Sequence, residues 1–181
     1  MFLEGEGKGK VWDVVVLSHC IWYFETPAVL TSVLAALPST KLCIAEWSLR
    51  ATTAETLPHV IAALLLATLE AKRAEPSTGN IRTILSPAQI TSSVEGAEGK
   101  RWKKSKELFG SGAWMKDGYW EASWVLKTRE KKLAKLREEG LSEKEIGALV
   151  AMWDSLSVGV ESIGGVEKCG SMDWWAGVFE V

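Results

Sequence analysis

Val11 to Ser18 reads VWDVVVLS, a β-branched and almost continuously apolar run. Such a run fits a strand covered on both faces better than a half-exposed one, so it is expected to be a central parallel strand. Downstream, Thr26 and Pro27 supply an N-cap and a first-turn proline for a helix through Val29, Leu30, Val33, Leu34 and Leu37, which Pro38 ends. A second apolar strand, Lys41 to Trp47 (KLCIAEW), follows. Strand, helix and strand in that order form a βαβ unit with parallel strands and a right-handed crossover.

A long helix is expected from about Ala54 to Arg73, with Pro58 in its opening turn and an apolar stripe through Val60, Ile61, Leu64, Leu65 and Leu69. The stretch Ala74 to Asn80 (AEPSTGN) is loop, but it joins elements of one apparent core and is not read as a domain boundary. A short strand, Ile81 to Leu85, precedes Ser86, Pro87 and Gln89, which form a capping box for a helix ending near Gly96. Trp102 to Phe109 reads as a strand, whereas Tyr119 to Leu126 is open between extended and helical. Thr128 to Glu139 is a charged helix, and Ser142 with Glu145 caps another that Gly164 and Gly165 end. Met172 to Val181 (MDWWAGVFEV) closes the chain as an aromatic strand.

A chain of 181 residues that is 47% hydrophobic can bury a substantial core, and one domain over 1–181 is expected. A net charge of −2 with 24% charged residues excludes a uniformly basic nucleic-acid binder, while leaving room for a local basic patch. Cys20, Cys43 and Cys169 make no C-x-x-C pair, so neither a disulfide framework nor a thiolate zinc site is expected. The longest apolar stretch, around Val60 to Leu69, is too short for a bilayer, and Met1 to Lys10 lack a signal-peptide core. The expectation is a soluble cytoplasmic or nuclear protein with no membrane partner. Ten tryptophans, far above average use, demand something to pack against.

Ligands of open α/β sheets bind beyond the carboxyl ends of the strands. The first such end carries Ser18, His19, Cys20, Ile21, Trp22 and Tyr23; the second carries Glu46, Trp47 and Ser48. A flat substrate could stack on Trp22, Tyr23 or Trp47 while Ser18 and His19 supply hydrogen bonds. The bland alternative is that the aromatics cap the sheet and His19 bonds a carbonyl. His59, beside Pro58, is either a packing residue or a ligand facing the same sheet end as Glu46. With only two histidines, no metal site is expected. Ser18 and His19 point to opposite faces of an extended segment and lie in no G-x-S-x-G elbow, which disfavours a hydrolase. Gly5, Gly7 and Gly9 imitate a phosphate-binding loop, but a strand follows them where that motif needs a helix. Lys100 to Lys106 (KRWKKSK) sets five cations around Trp102, which suits either a nucleic-acid contact through Trp102, Lys103 and Lys104 or a solvated face.

DVVVLSHCIWYF (Asp13 to Phe24), IAEWSL (Ile44 to Leu49), PHVIAALLLATLEA (Pro58 to Ala71), NIRTILSP (Asn80 to Pro87) and DGYWE (Asp117 to Glu121) resemble the second half of a class I S-adenosylmethionine-dependent methyltransferase. The likeness is to fungal Rossmann-like members, including a group similar to ribosomal-RNA uridine methyltransferases. It implies a partial Rossmann-like α/β sheet: Val11 to Ser18 as its fourth strand, Lys41 to Trp47 as its fifth, and an antiparallel strand at the carboxyl terminus. It also implies S-adenosylmethionine as cofactor, near Ser18, Ile21 and Trp22, with His19 and Tyr23 in catalysis. Glu46, Trp47, His59, Trp102, Lys103 and Lys104 would then contact the acceptor, with RNA as the candidate. The family's glycine-rich loop and ribose-binding carboxylate have no counterpart here. A truncated enzyme is therefore expected, with weak cofactor binding and an exposed edge on the first strand. The alternative is a non-catalytic module or split-enzyme partner that associates, with itself or another chain, through that edge.

Overall fold

The computed structural model describes residues 11–73 and 77–181. The lead-in with Gly5, Gly7 and Gly9, and residues 74–76 of the expected linker, lie outside them. The described residues form two compact units interleaved in sequence, one drawn from 11–48, 77–110 and 174–181, the other from 49–73 and 111–173.

The first unit is built on a four-stranded sheet: β1 (Val15–Ser18), β2 (Lys41–Trp47), β3 (Lys103–Gly110) and β4 (Trp174–Glu180). Their spatial order is β1-β2-β4-β3. β1 and β2 are parallel, with Val15 opposite Leu42 and Ser18 opposite Ala45. The last strand inserts antiparallel between β2 and β3, so Trp174 faces both Trp47 and Gly110. Helix α1 (Pro27–Ala36) makes the β1-to-β2 crossover, opened by its first-turn proline. Helix α3 (Pro87–Glu95) starts with the expected capping box, in which Ser86 and Gln89 each bond the other's backbone N–H. Leu30, Leu34, Leu42, Ile44, Ile90, Val94, Trp102, Trp175 and Phe179 are its sealed core.

Two expectations need correction here. Val11 to Ser18 is not a central strand. Only Val15–Ser18 is regular, and β1 lies at the sheet edge with Val14 and Val16 exposed. An apolar run records what a strand is able to bury, not what this sheet covers. Ile81 to Leu85 is not a strand either, although Ile81, Thr83 and Leu85 alternate inward. Its polar groups are taken elsewhere: the Arg82 and Thr83 amides donate to the Trp22 carbonyl at 2.8 and 3.1 Å. The Leu85 carbonyl accepts from the Trp22 indole at 3.2 Å.

The second unit is helical. Helix α2 (Leu57–Ala71) follows a short 3₁₀ turn whose N-cap, Thr53, forms a capping box with Thr56. The segment left open at Tyr119 to Leu126 is helical and continuous with the charged stretch, giving α4 (Asp117–Glu138). Helix α5 (Glu143–Ser162) has the expected Ser142–Glu145 capping box. Their apolar faces meet around Leu65, Val125, Leu149, Trp153 and Leu156. The Trp153 indole satisfies itself on the Val125 carbonyl at 3.1 Å.

Candidate functional site at the carboxyl ends of the strands

β1 and β2 are parallel and in register, so their carboxyl ends emerge side by side and bring Ser18–His19 next to Glu46–Trp47. The chain leaves β1 through His19, whose φ of 45° lies in the left-handed region, and enters a 3₁₀ turn over Ile21–Tyr23. A non-glycine residue in that region is held by its surroundings. The His19 amide is bonded to the Ala45 carbonyl at 2.8 Å. Glu46 anchors the turn beyond it. Its carboxylate is 1% exposed and accepts from the amides of Ile21 (3.1 Å) and Trp47 (2.9 Å), which compensates a charge that would otherwise be costly to bury.

His19 Nδ1 lies 3.4 Å from Glu46 Oε1, an ion-pair distance without hydrogen-bond alignment. Its ring leans on Trp47, centroids 4.6 Å apart. The imidazole is therefore fixed from two sides and still partly open to solvent. Cys20, next in sequence, is held in the thiol form, because burial and then the charge of Glu46 both push its pKa up.

Of the residues singled out in the sequence, Ser18, His19, Glu46 and Trp47 share this end of the sheet, and Tyr23, half exposed, follows within the turn. Ile21 and Trp22 are there too, but their side chains are core, so the expected cofactor contact is corrected: these two indole and sec-butyl groups pack the turn and present no free face. Trp102 is likewise fully buried in the first unit, and no base can stack on it. Lys103, exposed on β3, lies 4.0 Å from Glu95, and Lys104 pairs with Glu107 at 2.9 Å.

His59 belongs to the second unit and is 0% exposed. Its Nδ1 accepts from the Met172 amide at 2.8 Å, which places the ring proton on Nε2, 3.1 Å from Glu121 Oε2. Both nitrogens are engaged, so the expected substrate contact is replaced by a packing role. Sequence reasoning missed Phe109, Gly110 and Trp174, which the register brings to the carboxyl edge of β2 and β3. A Cβ on Gly110 would fall 2.1 Å from the Trp174 indole, so only glycine lets that ring lie across the strand. Nothing short of the antiparallel insertion of β4 signals this neighbourhood. Among the described residues, no group of three His, Cys, Asp or Glu could hold a metal ion.

No family model matches the chain. In sequence it is similar to methyltransferase phomM′ of Diaporthe leptostromiformis, 31% identical over 91% of this chain and 48% of that protein. It is also similar to methyltransferase phomM of the same organism, 29% identical with the same coverage. A solved structure, the cyclopropane-fatty-acyl-phospholipid synthase-like protein from Lactobacillus casei ATCC 334, superposes with a TM-score of 0.71 at 20% identity, covering 100% of this chain and 61% of that one. The fold is methyltransferase-like and Rossmann-like. The parallel β1–β2 pair and the reversed last strand are the arrangement the resemblance implies for the later strands of that sheet. The chain spans about half the length of the curated relatives it matches.

Proposed function

We propose that this chain supplies the acceptor-side wall of an S-adenosylmethionine-dependent methyltransferase, centred on His19 and Glu46. The observation that carries the reading is the buried Glu46 carboxylate, which fixes the turn after β1 and stands beside His19 Nδ1. A carboxylate at that nitrogen favours a proton on Nδ1 and leaves Nε2 as the basic nitrogen, able to take a proton from an acceptor hydroxyl or amine. The Ser18 hydroxyl and the Tyr23 phenol, both accessible, are the groups free to orient ligands. Ile21 and Trp22 contribute by holding the backbone rather than by touching a cofactor. When bound, the cofactor supplies an electrophilic methyl group.

A specific observation favours the companion reading, in which another chain completes the site. Edge strand β3 is guarded by Lys103, Lys104 and Lys106 and by a bulge between Lys104 and Lys106. Edge strand β1 carries Val15, Val16, Leu17 and Ser18, with no charge, proline or bulge. Among the described residues the sheet protects one edge and pairs no strand with the other, which leaves a place there for a further strand.

The test is a titration of ¹⁵N-labelled protein with S-adenosylmethionine and S-adenosylhomocysteine, followed by amide shifts. Weak, saturable changes confined to 18–23 and 46–48, diminished by Ser18→Val, are expected. Absence of any saturable shift, or shifts confined to other parts of the chain, overturns the reading.

A further inference from the structure

Helix α4 buries Ala122, Val125, Leu133 and Leu136 in the second unit, and these fix which side faces outward. Positions 116, 120, 124, 127, 131 and 135 recur at intervals of three and four and so fall on one line along the opposite side. They are Lys116, Trp120, Trp124, Lys127, Lys131 and Lys135, and every one is exposed. The row contains no acidic residue up to Lys135, which pairs with Glu139 at 3.4 Å, and Glu138 ends the basic line one turn later. Trp120 is 62% and Trp124 50% exposed, and Trp114, 77% exposed, stands just ahead of the helix. A helix fixed on its inner side does not need indoles on its outer one. Two on the outward line, flanked at both ends by lysines, are the composition of a surface that meets something apolar at its centre and anionic around it.

We propose that this face of α4 is a docking surface for an anionic lipid membrane. The row from Lys116 to Lys135 is about 28 Å of straight helix, which suits a plane. Indoles settle at the level of lipid headgroups, while lysines reach out to headgroup phosphates and carboxylates. Stacking against the bases of a single-stranded nucleic acid is less well served. Lys132 Nζ sits 4.5 Å from the centroid of the Trp124 ring and already occupies one of its faces. An indole entering a headgroup layer needs its outer edge free, not both faces. The contact is peripheral and needs no spanning segment, so a sequence search for membrane spans passes over it.

The experiment is flotation of the full chain with unilamellar vesicles of phosphatidylcholine alone and of phosphatidylcholine mixed with phosphatidylserine. Intrinsic tryptophan emission is recorded alongside. Binding to the mixed vesicles only, with a blue shift and a steep loss on adding salt, is expected. Lys127→Ala/Lys131→Ala should weaken binding roughly 30-fold, and Trp120→Ala/Trp124→Ala should abolish the blue shift. Circular dichroism of each variant should match the parent, since none of the four side chains is in the core. The proposal fails if the folded protein ignores phosphatidylserine vesicles, if it binds both vesicle types alike, or if both double variants bind as the parent does. It fails equally if single-stranded oligonucleotides bind this face and vesicles do not.

Discussion

Replacing Glu46 by alanine strands two backbone amides, those of Ile21 and Trp47, in a buried position. Each lost bond is to a charged acceptor, and the pair together should cost about 3 kcal/mol in urea unfolding. Glu46→Gln, which keeps one acceptor oxygen, should recover part of that and still remove the charge beside His19. If the two variants unfold at the same urea concentration as the parent, Glu46 is not the anchor of the turn. Gly118 makes a comparable demand in the second unit. Its amide bonds the Ser171 hydroxyl at 3.0 Å, and a Cβ there would fall 2.0 Å from the Gly170 carbonyl oxygen. Because that neighbour is backbone and cannot swing aside, Gly118→Ala should destabilise by about 3 kcal/mol, measured as a fall in Tm. An unchanged Tm would mean that α4 and the Gly170 segment separate freely. At this scale the sequence was partly legible. Ser18, His19, Glu46 and Trp47 fall at adjacent strand ends because β-branched runs mark parallel strands. The burial of Trp102 and His59 was not legible, since a residue's type does not reveal which side of a strand or helix the fold will close over.

Elements were most readable where short-range chemistry sets their ends. Ser86–Gln89 and Ser142–Glu145 are capping boxes in the sequence and in the structure, because the reciprocal bonds join residues three apart and need no tertiary help. Ile81 to Leu85 failed for the opposite reason: its alternation is real, but its amides answer to Trp22, some sixty residues earlier. Tyr119 to Leu126 was ambiguous by periodicity and became helix through the core it shares with α2 and α5. The cap of α5 also has a pH signature. The bond from Lys72, followed by those from Ser142, holds the Glu145 carboxyl down at about 2, against 4.5 for the free group. A depressed folded-state pKa contributes stability that is complete above pH 4.5 and disappears as pH falls through about 2. Glu145→Gln should therefore flatten the stability curve in that acid window while leaving its neutral limb parallel to the parent's. Chemical denaturation at a series of pH values decides this, and an identical acid slope in the two proteins would dissociate Glu145 from the effect.

At the scale of the molecule, the chain crosses between its two units four times, so neither unit is a contiguous stretch and no composition shift marks their limits. The apolar run Val11 to Ser18 reads as a central strand, whereas the family resemblance implies an exposed edge there. Among the described residues β1 does lie at the sheet edge, and association through it is the outcome to test. Val16, 64% exposed, and Val14, 44% exposed, lie on the uncovered side of that strand, next to backbone groups that pair with no strand among the described residues. β3, at the other end of the same sheet, exposes Leu108 and Phe109 as well, but its lysines and bulge interrupt any added strand. Apolar exposure alone would make both edges adhesive, whereas edge protection singles out β1. Sedimentation velocity over a range of protein concentrations should show a reversible rise in mean mass. Val16→Lys should suppress it, because a charge on an unprotected strand resists desolvation against a partner. Leu108→Lys, on the guarded edge, should leave it unchanged. Suppression by Leu108→Lys and not by Val16→Lys would move the adhesive edge to β3, and a single species at every concentration would leave β1 without a partner of its own kind.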